Sequence, residues 1–88
     1  MVIEFDPVKN RRNIVRRGLA FDRVSDFDFD SALVVEDDRR DYGEVRYRAI
    51  GRMGTDVVVV VFTMRGKTLR VISLRHANKK ERVTYESK

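Results

Sequence analysis

In EVRYRAIGR, Glu44 to Arg52, charged residues recur at every second position. On an extended chain Glu44, Arg46, Arg48 and, beyond Ile50, Arg52 share one face, while Val45, Tyr47 and Ala49 share the other. Alternate residues on a strand lie roughly 6.6 to 6.8 Å apart, close to the spacing of successive phosphates in an extended single-stranded nucleic acid. Arg46 and Arg48 can each hold one, and a planar guanidinium suits that task. RVISLRHANKKERVTY, Arg70 to Tyr85, repeats the alternation, with Val71, Ser73 and Arg75 on one face and Arg70, Ile72 and Leu74 on the other. If Ile72 and Leu74 pack on helices, Ser73 and Arg75 join Arg46 and Arg48 on an open face. A solvated side of a half-exposed antiparallel sheet has the same pattern.

Cleaving RNA through its 2'-hydroxyl requires one group to take a proton, one to give a proton to the leaving 5'-oxygen, and positive charge around the transition state. Arginines meet the last need. Glu44, His76, Glu81 and Tyr85 are the candidate proton movers. A histidine titrates in the right range, yet His76 is the only one, and a lone histidine more often caps or decorates a surface. Glu81 lies three residues after Asn78, the spacing of a helix capping box. Tyr85, a turn later, packs its ring equally well. The set for catalysis is therefore Arg46, Arg75, Glu44, Glu81 and Tyr85. The set for RNA contact is Arg48, Arg52 and Ser73, with Lys79 and Arg82 beside the electropositive start of the last helix. DFDFD, Asp26 to Asp30, has alternating acids but lacks the glycine and terminal glutamate of a calcium loop. No zinc spacing, phosphate loop or dinucleotide fingerprint is present, so neither a metal nor a cofactor is expected.

These residues need elements to position them. VIEF is a short strand. Asp6 and Pro7 then start a helix over about 7–17, the proline at the one position where its missing N–H costs nothing. Gly18 ends it. Val8, Arg11, Ile14 and Val15 form its narrow apolar stripe, and Lys9, Arg12, Arg16 and Arg17 its basic side. Leu19, Phe21, Val24 and Phe27 predict a second short helix or helical turn. SALVV is a strand, EDDRRDYG a charged turn, and EVRYRAIGR the next strand. VVVVVF, Val57 to Phe62, lacks alternation and predicts a strand covered on both faces. TLRVISLR is the last strand, and Asn78 starts the last helix. The expected fold is α+β and two-layered: a mostly antiparallel sheet of four to five strands, two N-terminal helices and one C-terminal helix.

The 88 residues suit one domain, 1–88, with a small core. The chain carries +5, unevenly distributed. Residues 1–44 hold 8 Lys and Arg against 11 Asp and Glu, net −3, and residues 45–88 hold 11 against 3, net +8. A positive second half suggests a nucleic acid, an anionic membrane or an acidic protein as partner. Membrane binding fits poorly, because the basic residues lie on a strand rather than opposite a long apolar helix face. With no cysteine, no signal pattern and no long apolar run, the chain reads as soluble and cytoplasmic.

The order FDPVKNRRNIVRRGLAF, EVRYRAIGR, an apolar strand and RVISLRHANKKERVTY resembles the BrnT toxins of bacterial type II toxin–antitoxin systems over nearly the whole chain. Arg70, Ile72, Ser73, Arg75, Ala77, Glu81, Arg82 and Tyr85 match how these proteins end. Asp6, Lys9, Asn13, Gly18 and Phe21 match how they begin. The resemblance implies a small, metal-independent ribonuclease of RelE-like fold that arrests growth. It also implies a ribbon-helix-helix antitoxin, BrnA, that binds the toxin and reads operator DNA, so that the complex represses its own operon. One departure stands out: the family usually has Lys-His-Gly where this chain has Arg16-Arg17-Gly18. If that histidine is catalytic, this protein is weakened or uses another group; if it only ends the helix, Arg17 can replace it. The alternative from another class is a non-catalytic module whose basic sheet face binds an antitoxin or a nucleic acid.

Overall fold

The computed structural model describes residues 1–88. Along the chain run β1 (Val2–Glu4), α1 (Pro7–Arg17), a 3-10 helix (Phe21–Asp26), β2 (Leu33–Glu36), β3 (Tyr47–Met53), β4 (Asp56–Arg65), β5 (Thr68–His76) and α2 (Lys79–Glu86). The five strands form one sheet in the order β1-β5-β4-β3-β2. β2 through β5 form an antiparallel meander, but β1 pairs parallel to β5, so the sheet is mixed rather than simply antiparallel. The reason is connectivity. No hairpin joins β1 to β5, and a strand reached through a long crossover is free to run parallel. The second N-terminal helix is a six-residue 3-10 segment.

β4 is the spine. Val58 to Thr63 are buried, as a run without alternation requires. On one face, Ala49, Met53, Val58, Val60, Phe62, Leu69, Val71 and Leu74 meet Leu19, Phe21, Val24 and Phe27 to form the core. Over the other face lies α2, anchored by buried Tyr85, while buried Ala77 leads into it. Gly51 sits directly against Phe27 and Ala32: a Cβ there would lie 2.7 Å from Phe27 Cζ and 3.0 Å from Ala32 Cβ. Gly51→Ala should therefore cost about 1–3 kcal/mol by overpacking, read as a lower midpoint in urea with an unchanged slope.

The β4–β5 register shifts between Val61 and Phe62. This bulge leaves Ile72 unpaired and reverses the alternation beyond it. Val71, expected beside Ser73, is instead opposite Phe62 in the core, and Arg70 moves to the Ser73 side, where it reaches Glu4 at 3.4 Å.

α1 begins and ends as its sequence dictates. Asp6 Oδ1 accepts from Val8 N at 2.9 Å, and Gly18 at φ 68 donates to Ile14 O. Its packing differs from expectation: no residue of α1 is buried, and Val8, Ile14 and Val15 are exposed. Two asparagines attach it instead. Asn13 Nδ2 donates to Leu19 O at 2.8 Å, and Asn10 Oδ1 accepts from Phe21 N at 2.8 Å. They hold the helix to the backbone that delivers Phe21 to the core.

Candidate nucleic-acid interface

Register decides which predicted residues share a face. Arg48 is opposite Val61, which is opposite Ser73; Ile50 is opposite Val59, which is opposite Arg75. Arg48, Ser73 and Arg75 therefore lie on one face of three adjacent strands. Arg48 and Ser73 are about 10 Å apart at their Cα atoms, two strand spacings. His76 is opposite Val58, so it belongs to the other side, exposed at the end of β5.

Arg75 is held in place by a carboxylate. Its Nη1 and Nη2 donate to Glu81 Oε1 and Oε2 at 2.7 and 2.8 Å, a bidentate fork. Glu81 is itself fixed: its Oε1 accepts from Asn78 N at 2.9 Å and its N–H donates to Asn78 Oδ1 at 2.8 Å, completing the capping box that starts α2. The Arg75 hydrogen bonds, with help from Asn78 N–H and the nearby charge of Arg48, hold the Glu81 carboxyl at about 2, well below its ordinary value. Glu81 is thus a permanent anion that aims Arg75. Arg48 makes no ion pair.

A third guanidinium reaches the cluster from the loop after β2. Arg39 is close enough for its charge to act on Arg75. It is placed by Asp37, whose carboxylate accepts from Arg39 Nε at 2.7 Å, Arg39 Nη2 at 2.8 Å and Tyr42 Oη at 3.3 Å. Only 1% of the Asp37 side chain is exposed. The bonds from Arg39 draw its carboxyl down to about 2. Tyr42 in turn supports Arg46, whose guanidinium carbon stands 4.2 Å over the Tyr42 ring centroid while Nε reaches Glu44 Oε2 at 3.1 Å. A stretch that reads as a charged turn is a scaffold with a buried acid at its centre. Composition concealed it, because a run of acids and arginines reads as solvated; the hint was the aromatic Tyr42 within the run. Asp37→Ala should cost about 1–3 kcal/mol by removing a buried acceptor and weaken RNA binding by releasing Arg39 and Arg46. Thermal melts and titration with labelled single-stranded RNA check both.

The remaining predicted residues do not join this cluster. Arg52 lies four residues beyond Arg48 on β3, about 13 Å along the strand, beside Tyr85 and Lys88. Tyr85 is buried, with its hydroxyl 3.1 Å from Ser31 Oγ, so it secures α2 to the Asp28–Ser31 turn. Glu44 lies before β3 and pairs with Arg46 and, at 3.9 Å, with Arg65. Arg82 folds back to donate to Ala77 O at 3.0 Å, Lys79 is exposed at the start of α2, and Val83 faces solvent.

Missing from the predicted set is a groove of about 140 Å³ between α1 and β5. Lys9, Arg12, Arg16 and Arg17 line it with Asn13 and Ser73, over a floor of Phe21 and Ile72, and no carboxylate faces it. Ser73 belongs both to this groove and to the row that contains Arg48. The signal in the sequence was the basic side of α1. What hid the groove is distance along the chain, since Lys9 and Ser73 meet only through tertiary packing.

No cluster of His, Asp or Glu is arranged to hold a metal ion, and no helix is long and apolar enough to cross a membrane. Fold and site together define a small α+β protein with an arginine-lined sheet face. Comparison with known families is narrower: residues 5–81 match the family described as ribonuclease toxin, BrnT, of type II toxin-antitoxin system. The chain belongs to that family. No curated protein matches it.

Proposed function

We propose that this chain is a metal-independent endoribonuclease of RelE-like fold and that Arg48 and Arg75, with Arg39, form its anion-holding centre. The observation that carries this reading is the Arg75–Glu81 fork: an arginine clamped bidentately where α2 gives way to the basic part of this sheet face is pre-aimed at a phosphate. RNA runs from Arg46 past Arg48 to Ser73 and into the α1 groove, so successive phosphates meet successive cations. The 2'-hydroxyl attacks the adjacent phosphorus and gives its proton to water, the 5'-oxygen leaves as a hydroxyl by taking a proton from water, a 2',3'-cyclic phosphate remains, and the guanidinium groups hold the charge that develops on the non-bridging oxygens. Glu81 acts by orienting Arg75. Arg52, Lys79 and Arg82 meet more distant phosphates. Cleavage in the cytoplasm arrests growth, and a ribbon-helix-helix antitoxin both neutralises the toxin and carries the complex to operator DNA.

A second reading, a binding module without catalysis, is favoured by one observation: the carboxylate within the arginine cluster is fully engaged and His76 is on the other side of the sheet. One experiment separates the two. Purified protein is incubated with RNA in EDTA, alongside the same RNA carrying a 2'-deoxy substitution at each cleavage site. The ribonuclease reading expects cleavage in EDTA that the deoxy substitution abolishes. Salt-dependent binding with intact RNA establishes the module instead.

A further inference from the structure

α1 has two long sides. Lys9, Arg12, Asn13, Arg16 and Arg17 line the groove. The other side, spaced i, i+3, i+6 and i+7, carries Val8, Arg11, Ile14 and Val15, all the aliphatic side chains the helix has. Val8 is 49% exposed, Ile14 43% and Val15 86%. None of the three is buried, and Asn10 and Asn13 attach the helix to the rest of the chain through hydrogen bonds. An aliphatic stripe that the chain's own core leaves out is a surface awaiting another molecule.

Charge indicates which molecule. α1 contains Lys9, Arg11, Arg12, Arg16 and Arg17 and no acid. A second copy of the same face would set Arg11 against Arg11, with Arg12 close beside each and no acid on either helix. RNA would meet the cations but leave the valines against water. An amphipathic protein segment with aliphatic residues along one line and Asp or Glu beside them satisfies both features. We propose that the Val8–Arg11–Ile14–Val15 side of α1 is the docking face for such an acidic segment of the antitoxin. The proposal rests on the toxin–antitoxin reading of this family and adds where and how the partner binds. A segment seated there has its acids within reach of Arg12 and Arg16 at the rim, so docking closes the groove to phosphates and neutralisation follows from the same contact.

The test uses the full chain co-expressed with the protein encoded beside it in its operon. Val8→Glu/Val15→Glu replaces two exposed side chains outside both the groove and the arginine cluster. It should lower antitoxin affinity by about tenfold or more while leaving RNA cleavage by the free toxin within twofold. Arg11→Glu should weaken the complex separately, and more at low salt than at high salt. Antitoxin affinity unchanged in all these variants overturns the proposal. Cleavage falling in parallel would assign the face to substrate, and a toxin dimer dissociated by the substitutions would assign it to self-association; either overturns it. If the wild-type chain forms no complex at all, the toxin–antitoxin reading fails first and this proposal with it.

Discussion

Arg75→Ala should lower RNA cleavage by about 10²- to 10³-fold, the loss typical of removing one pre-aimed donor from a transition state, while RNA affinity falls far less. The asymmetry follows from the surroundings. On the proposed ribonuclease reading, RNA is held by Arg46, Arg48, Arg39 and the four cations of the α1 groove together, so one lost charge is a small fraction of the electrostatic attraction. Arg39 is also clamped, through Nε and Nη2 by Asp37, but from a loop; Arg75 is gripped on both Nη atoms from a strand, by a carboxylate that is itself fixed in the cap of α2. Arg75→Lys is the informative companion. A lysine keeps the charge but cannot present a planar fork to both Glu81 and a phosphate, so it should recover binding fully and cleavage only in part. Single-turnover rates with saturating protein separate the two effects. Undiminished cleavage in Arg75→Ala would remove the cluster from the chemistry.

The parts of this molecule legible in its sequence are those built by near neighbours. Asp6–Pro7 and Gly18 bound α1, Asn78 and Glu81 bound α2, and the unbroken VVVVVF marks the strand buried on both faces. Each is a contact across a few residues, where spacing is geometry. Periodicity also located the Val8–Arg11–Ile14–Val15 stripe correctly, yet it shows only that a face exists. Whether that face meets the core depends on what else competes for the core, and here the Leu19–Phe27 segment occupies it. The bulge at Ile72 shows the opposite limit. Strand alternation placed Val71 beside Ser73, and one extra residue exchanged the roles of Val71 and Arg70. Such an insertion carries no local signature in a run of alternating Val, Ile and Leu, because either register buries aliphatic groups. Asp37 was hidden for a related reason: a carboxylate is placed inside only when its partners are known, and Arg39 and Tyr42 fold onto it through a loop whose shape the sequence does not specify.

Glu81→Ala should reduce stability by about 2 kcal/mol: roughly 1 for the lost capping box and the rest for the ion pair, discounted because Arg75 is partly exposed. For a domain of this size that is a fall in Tm of about 8–16 °C. Glu81→Gln keeps an oxygen to accept from Asn78 N–H but not the charge, so its loss should be about half as large. The pH dependence identifies the cause. The Glu81 carboxyl is ordinarily near 4.5 and is held at about 2 in the folded protein. A depressed carboxyl contributes its stability above the unfolded value and loses it as pH falls through the folded one. The gap between wild type and Glu81→Gln should therefore be constant above about pH 5 and close between about 4.5 and 2. Asp37, also held at about 2, declines over a similar range in both proteins and cancels in the difference. The same variant tests its role in cleavage. As the residue that orients Arg75, Glu81 can be replaced by glutamine with a loss of about tenfold and an unaltered pH profile, since no titrating group has been removed from the reaction. If Glu81 instead takes the proton from the 2'-hydroxyl, Glu81→Gln should abolish the acidic limb of that profile and lower the rate by about 10²- to 10⁴-fold. An ion pair this close, with the carboxylate held at about 2, makes a poor base at neutral pH, which is the physical reason to expect the smaller effect.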